Sequence, residues 1–189
     1  MVAEEMHVRC CVTTISVEGC VMRQEELSRL RTLFSTLGDA LTDTQLRQLA
    51  LVVQPLEFNA GEKLVEQGKP ASDLFWVTAG RLNVVIEMDA RAKHIGTAGA
   101  GDITGEINFL DPGPSEWTLI ATTRGTVWRL SAAELEVFAH TSPPIAEAVV
   151  RHAIAAIAEK RRDQVRLLEH LSSELNKVAS NRTYSGDRT

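Results

Sequence analysis

The sequence predicts a mainly β fold with flanking helices: a double-stranded β-helix, or jelly roll, ending in a long coiled-coil helix. Three observations carry this. Apolar residues keep helical spacing up to about Val53, fall into short runs between Leu56 and Leu130, and return to helical spacing after Ser131. Gly61, Gly68, Gly80, Gly101, Gly105, Gly113 and Gly125 separate the short runs, where turns need backbone conformations that side chains resist. Beyond Pro143-Pro144, Val150, Ile154, Ile157, Arg161, Gln164, Leu168, Leu171, Leu175 and Val178 recur in alternating steps of four and three, the spacing of a coiled-coil seam.

Residues 1–21 have no clear pattern. Val12 to Val17 could make one short strand, and the segment reads as an accessory tail. From Gln24 to Phe34, Leu27, Leu30 and Leu33 mark a first helix. Thr42 with Gln45 forms a capping box that starts a second, whose stripe is Leu46, Leu49 and Val53. The strand region follows, with Trp76 and Trp128 alternating among core positions. Ser131 caps a short helix, Ala132 to His140, and the long helix runs to about Val178. The expected organisation is a tail (1–21), a β-roll with flanking helices (22–141), a dimerisation helix (142–178) and a disordered tail (179–189). The seam is apolar except at Arg161 and Gln164. A helix of this length is too long for one small domain to cover, and a second copy is the simplest partner.

Composition narrows the function. The 189 residues include 44% hydrophobic and 24% charged side chains, a globular balance that excludes disorder as the main state. A net charge of −5 supplies no positive field to draw nucleic acid or anionic membrane. The longest apolar stretch, Ile145 to Ala158, is interrupted by Glu147, Arg151 and His152, so no membrane insertion is expected. Glu4 and Glu5 stand where a signal peptide would be basic, and a cytoplasmic location is expected. Cys10, Cys11 and Cys20 are odd in number and do not form C-x-x-C, which argues against a disulfide framework. No nucleophile–base pair, H-E-x-x-H or P-loop is present, and Asp111-Pro112-Gly113-Pro114 is turn chemistry, so no enzyme is expected.

Three segments carry a family resemblance. They are Asn59-Ala-Gly-Glu-Lys-Leu-Val-Glu-Gln-Gly68, Asp73-Leu-Phe-Trp-Val-Thr-Ala-Gly-Arg-Leu-Asn-Val-Val-Ile86 and Ala100-Gly-Asp-Ile-Thr-Gly-Glu-Ile107. In this order and spacing the chain, over about residues 30–172, resembles the cyclic-nucleotide-binding domain of the CRP/FNR superfamily. The resemblance implies a β-roll whose phosphate-binding cassette opens at Gly105-Glu106-Ile107. In the family the Glu takes the ribose hydroxyl, helix N–H groups take the phosphate, and an Arg in a following Pro-Arg-small-small stretch pairs with it.

Gly105, Glu106, Ile107, Leu110 and Pro114 match that pattern, but the Arg position is Ser115 and the two small positions are Glu116 and Trp117. Losing a charge-assisted hydrogen bond costs about 1.5–3 kcal/mol. A carboxylate near the phosphate adds a few kcal/mol of repulsion, on the order of 4 at 4 Å with an effective dielectric of 20. Together these remove about three to five decades of affinity. Cyclic nucleotide is therefore disfavoured as a ligand, and no other cofactor or metal is implied.

The expectation is a non-catalytic regulatory or sensor module with altered ligand specificity, homodimeric through Val150, Ile154, Ile157, Leu168 and Leu171. The ligand site is expected at Gly105, Glu106, Ile107, Ser115, Glu116 and Trp117. Lys160 and Arg161 either meet an anionic ligand or Glu116 at the interface, or form a solvated basic face. Few residues follow the long helix, so direct DNA binding is not expected and output would pass through an unidentified protein partner. Two alternatives stay open. One is a ligand-free scaffold in which Trp117 fills the old nucleotide site. The other is an authentic cAMP or cGMP binder, or a haem or redox sensor using His94 or His7 with the N-terminal cysteines, although three thiols do not supply a cluster's usual four. His140, His152 and His170 read as surface or packed residues.

Overall fold

A computed structural model describes residues 24–88 and 91–184. The reading of residues 1–21, including the Val12–Val17 strand, His7 and the three cysteines, lies outside the described residues.

Among the described residues, three helices open the fold rather than two: α1 (Gln24–Leu33), α2 (Ser35–Ala40) and α3 (Asp43–Ala50). The additional one, α2, has only six residues and contains Gly38, a poor helix former. Gly38 is required by packing, because a Cβ there would lie 2.8 Å from the Cα of Arg31. Arg31 itself donates to the carbonyls of Gly38 (2.6 Å) and Leu41 (3.0 Å) and pairs with Asp43 at 2.8 Å, tying the three helices together. Thr42 and Gln45 make the reciprocal capping box that starts α3.

The strands are β1 (Gln54–Phe58), β2 (Lys63–Val65), β3 (Pro70–Ala71), β4 (Asp73–Ala79), β5 (Arg81–Met88), β6 (Arg91–Gly99) and β7 (Ile103–Thr104). After α4 (Glu106–Leu110) come β8 (Gly113–Pro114), β9 (Thr118–Ala121) and β10 (Gly125–Ser131). All pairings are antiparallel, in sheets of order β1-β10-β4-β7 and β2-β9-β5-β6, with β3 and β8 as a separate pair. This is the β-roll that the sequence predicts.

Among the described residues two cores form, and β4 separates them. Phe75 and Val77 join Phe58, Leu82, Leu119 and Val127 between the sheets. Leu74 and Trp76, on the opposite face of β4, pack with Leu130 against the helices. A strand buried on both faces reads as a continuous apolar run, which is why Leu74 to Val77 shows no alternation. At the β4–β5 turn, Gly80 has φ +85 and lies where a Cβ would meet the Cα of Gly125 at 2.7 Å.

The last helices are α5 (Ala132–Thr141), started by a capping box of Ser131 and Glu134, and α6 (Pro143–Tyr184). Helix α6 ends six residues beyond the Val178 boundary read from the sequence. Its first half docks through Ile145, Val149, Ala153 and Ala156 into the helical core. Residues 159–174 are exposed throughout. No helix among the described residues is long and apolar enough to cross a membrane.

Candidate functional site at the cassette helix

Strand β7 pairs with β4 through Phe75–Thr104 and Trp76–Ile103, which fixes the start of α4 against the roll. Gly105 caps α4 in the left-handed region at φ +82, and a Cβ there would lie 2.2 Å from the carbonyl oxygen of Asp73. No other residue type fits this close approach without displacement. The turn directs Glu106 inward, and Glu106 is 5% exposed while Ile107 on the same helix is 45% exposed.

A buried carboxylate needs a counter-charge or hydrogen bonds. Lys160 supplies both from α6. Its Nζ donates to Glu106 Oε1 at 2.9 Å and to the carbonyl oxygen of Ile103 at 2.8 Å. The two residues are far apart in sequence, and the pair fastens the long helix to the opening of the cassette. Arg161, its neighbour, is exposed.

The second half of the cassette turns on Ser115. Its N–H donates to the Lys69 carbonyl at 2.9 Å, and its own carbonyl accepts from Gly68 N at 2.8 Å. Its hydroxyl donates to the Trp117 carbonyl at 2.7 Å and accepts from Trp117 N at 3.3 Å. At 3% exposure, the side chain in the family's Arg position is therefore folded into its own turn. Glu116 is exposed and Trp117 is half-buried. Asn108, buried on α4, donates to the Gly113 carbonyl at 3.4 Å and connects the two halves.

Beneath α6 lies an arrangement that the sequence did not single out. His152 is buried, stacked on Trp76 with ring centroids 6.4 Å apart, and set edge-on to Phe34 at 6.3 Å. Burial holds its imidazole below the usual histidine range. His152 Nε2 and Trp76 Nε1 are both buried without a protein hydrogen-bond partner. On the other side of β4, Arg129 bonds Asp73 at 2.9 Å, an interaction that raises the guanidinium pKa.

The expected seam residues lie on α6. Ile154, Leu168 and Leu171 are 53%, 66% and 49% exposed, while Val150 and Ile157 are half-buried. His94 stands on β6, exposed and bonded to Thr97 at 3.0 Å. Among the described residues, no three His, Cys, Asp or Glu side chains converge into a group that could hold a metal ion.

Residues 55–142 match the family model of the cyclic nucleotide-binding domain. Over 122 residues the chain is 27% identical to a cyclic nucleotide-gated potassium channel of Rhizobium etli, covering 65% of this chain and 32% of the channel. It thus spans about a third of that relative's length. Among solved structures, it resembles the N-terminal domain of a transcriptional regulator from Streptomyces coelicolor A3(2), with 27% identity and a TM-score of 0.57 over 68% of this chain and 91% of that one. A cyclic nucleotide-binding domain from Methylobacillus flagellatus shares the fold at a TM-score of 0.69 and 18% identity, covering 77% of this chain and 84% of that one. Residues 55–142 thus match the cyclic nucleotide-binding domain, and the chain shares that domain's β-roll fold.

Proposed function

We propose that this chain is a non-catalytic regulatory module whose cassette no longer clamps a cyclic phosphate and whose long helix carries the output to a homodimer interface. The observation that carries this reading is the Lys160–Glu106 bond at 2.9 Å, together with Ser115 buried in its own turn where the family places an Arg. In the family's manner of binding, Glu106 takes a sugar hydroxyl. Here the same carboxylate holds α6, so a ligand that reaches Glu106 must compete with Lys160 and thereby changes how α6 is docked. The ligand class best suited to the site offers hydroxyl or amide groups rather than an anionic phosphate, since Glu116 repels the anion and Ser115 stands where the family has its clamping Arg. Residues 142–178 are the output element, and their apolar seam pairs with a second copy. An unidentified partner protein receives the signal.

A thermal-shift series tests this reading. A ligand at a hundred times its dissociation constant stabilises a protein by about 2.7 kcal/mol, or about 5–10 °C for a chain of this size. Cyclic AMP and cyclic GMP at millimolar concentration are expected to shift the transition by less than about 1 °C. A shift of several degrees would overturn the altered-specificity reading.

A ligand-free scaffold is the second reading. It is favoured by one observation: Glu106 is already paired within the chain and only 5% exposed. It predicts that no nucleotide or nucleoside changes the hydrogen exchange of α6.

A further inference from the structure

We propose that His152 is a proton-operated latch on α6: a proton taken up by its buried imidazole frees the stretch between Val149 and Lys160 from the domain, and with it the hold of Lys160 on Glu106. The proposal rests on the reading that Glu106 must part from Lys160 before a ligand reaches it. Ile145 and Val149 anchor the start of α6. Beyond Val149, the side chains of α6 buried among the described residues are His152, Ala153 and Ala156, and Ile157 is half-buried. Alanines remove little apolar area from water. Docking of this stretch therefore leans on two polar anchors, the His152 ring near one end and the Lys160–Glu106 bond at the other.

The slot around His152 suits a neutral ring. The imidazole is 8% exposed, lies nearly parallel to the Trp76 indole with an interplanar angle of 11°, and meets the Phe34 ring edge-on. In an imidazolium both ring nitrogens donate, and Nε2 is buried with no protein acceptor. The face of Trp76 attracts a cation, but that attraction is far smaller than the cost of a charge left buried and unpaired.

The ionisable groups on the elements packed around His152 are engaged elsewhere or exposed. Asp73 on β4 is held by Arg129, Glu106 on α4 by Lys160, and Glu147 on α6 by Arg151. Glu134 caps α5, while Asp39, Glu136 and Glu159 are exposed. Arg29, Arg31 and His140 bond the backbone carbonyls of Thr78, Gly38 and Glu136. Burial is the cause acting on the His152 proton, so the docked ring holds it more weakly than a solvated ring, whose ordinary value is 6.5. The released state takes up the proton first. Below about pH 6.5 the opening equilibrium rises by up to about tenfold per pH unit, levelling off at the docked value.

Hydrogen exchange on the full chain without ligand tests the latch, because a helix that loses its packing frays. After correction for the intrinsic pH dependence of exchange, protection over residues 150–160 should fall by at least about threefold between pH 7.5 and pH 5.0. Protection of β4 and β10 should stay unchanged. His152→Phe should keep over residues 150–160 at pH 5.0 the protection it has at pH 7.5. Unchanged protection in the unsubstituted chain, or an equal loss in His152→Phe, overturns the latch. If His152→Phe does not fold, ring carbon shifts of His152 in the unsubstituted chain decide. Titration in step with the loss of protection supports the proposal. Titration with α6 still protected, or loss of protection while the ring stays neutral, overturns it. Micromolar cyclic AMP binding at pH 7.5 would overturn the altered-cassette reading and leave these results unchanged, so the two failures are distinguishable.

Discussion

Lys160→Met removes the charge that holds α6 on the cassette while keeping most of the aliphatic stem. The structure sets the size of the effect. Glu106 has a side chain 6% exposed and loses a cation 2.9 Å away, and the Ile103 carbonyl loses its 2.8 Å donor. A hydrogen bond to a charged group contributes about 1.5–3 kcal/mol. The Lys160 side chain is 46% exposed, so solvent screening brings the expected loss toward the low end, about 2 kcal/mol. For a chain of this size that lowers the melting temperature by about 4–8 °C. The fluorescence of Trp76, stacked on His152 of α6, and of Trp128, packed against the same core, reports the transition. Glu106→Gln alone should also destabilise, but combined with Lys160→Met it removes the uncompensated charge and should recover part of the loss. The expected coupling in the double-mutant cycle is at least about 1 kcal/mol. Strict additivity, with coupling under about 0.3 kcal/mol, would refute the role of this pair in docking α6.

Three further outcomes follow from the geometry. His152 has a folded pKa below that of the unfolded chain. Its contribution is therefore constant above about pH 6.5, and stability falls as pH drops from there toward the folded value, because the unfolded chain takes up the proton first. His152→Phe should flatten that part of the stability profile measured by urea denaturation, and parallel profiles would contradict the assignment. Gly105→Ala forces a side chain onto the Asp73 carbonyl at φ +82 and should cost at least about 2 kcal/mol, read as a lower melting temperature, whereas an unchanged transition would mean the turn relaxes. Ile157→Pro breaks α6 inside the seam, at a cost of about 3 kcal/mol or more, and should convert a dimer to a monomer in sedimentation. A persisting dimer would remove the helix from the interface.

The parts of the fold that were legible in the sequence are those encoded locally. Thr42 with Gln45, and Ser131 at its cap, announce helix starts because the hydrogen bonds involved span three residues. The seven-residue repeat of α6 reads directly because one helix face carries it. Helix α2 escaped because Gly38, needed for the close approach of Arg31, removes the local helix signal. The C-terminal turns of α6 escaped because residues 179–184 carry no large aliphatic side chain, and a helix already nucleated propagates without an apolar stripe. At the site, the resemblance located Glu106 and drew attention to Lys160. The bond between them could not be read from spacing, because it joins elements brought together only by the packing of α6. The stacking of His152 on Trp76 likewise depends on tertiary contact: from the sequence, His152 looks like one more polar residue on a long helix.

The most direct test of the altered cassette is calorimetric titration of the purified chain with cAMP and with cGMP, carried to millimolar concentration. With Ser115 turned into its own loop and Glu106 engaged by Lys160, the predicted result is no heat of binding in the micromolar range for either nucleotide. Micromolar binding would contradict the proposal, and its loss in Lys160→Met would identify Lys160 as the group that replaces the family's Arg.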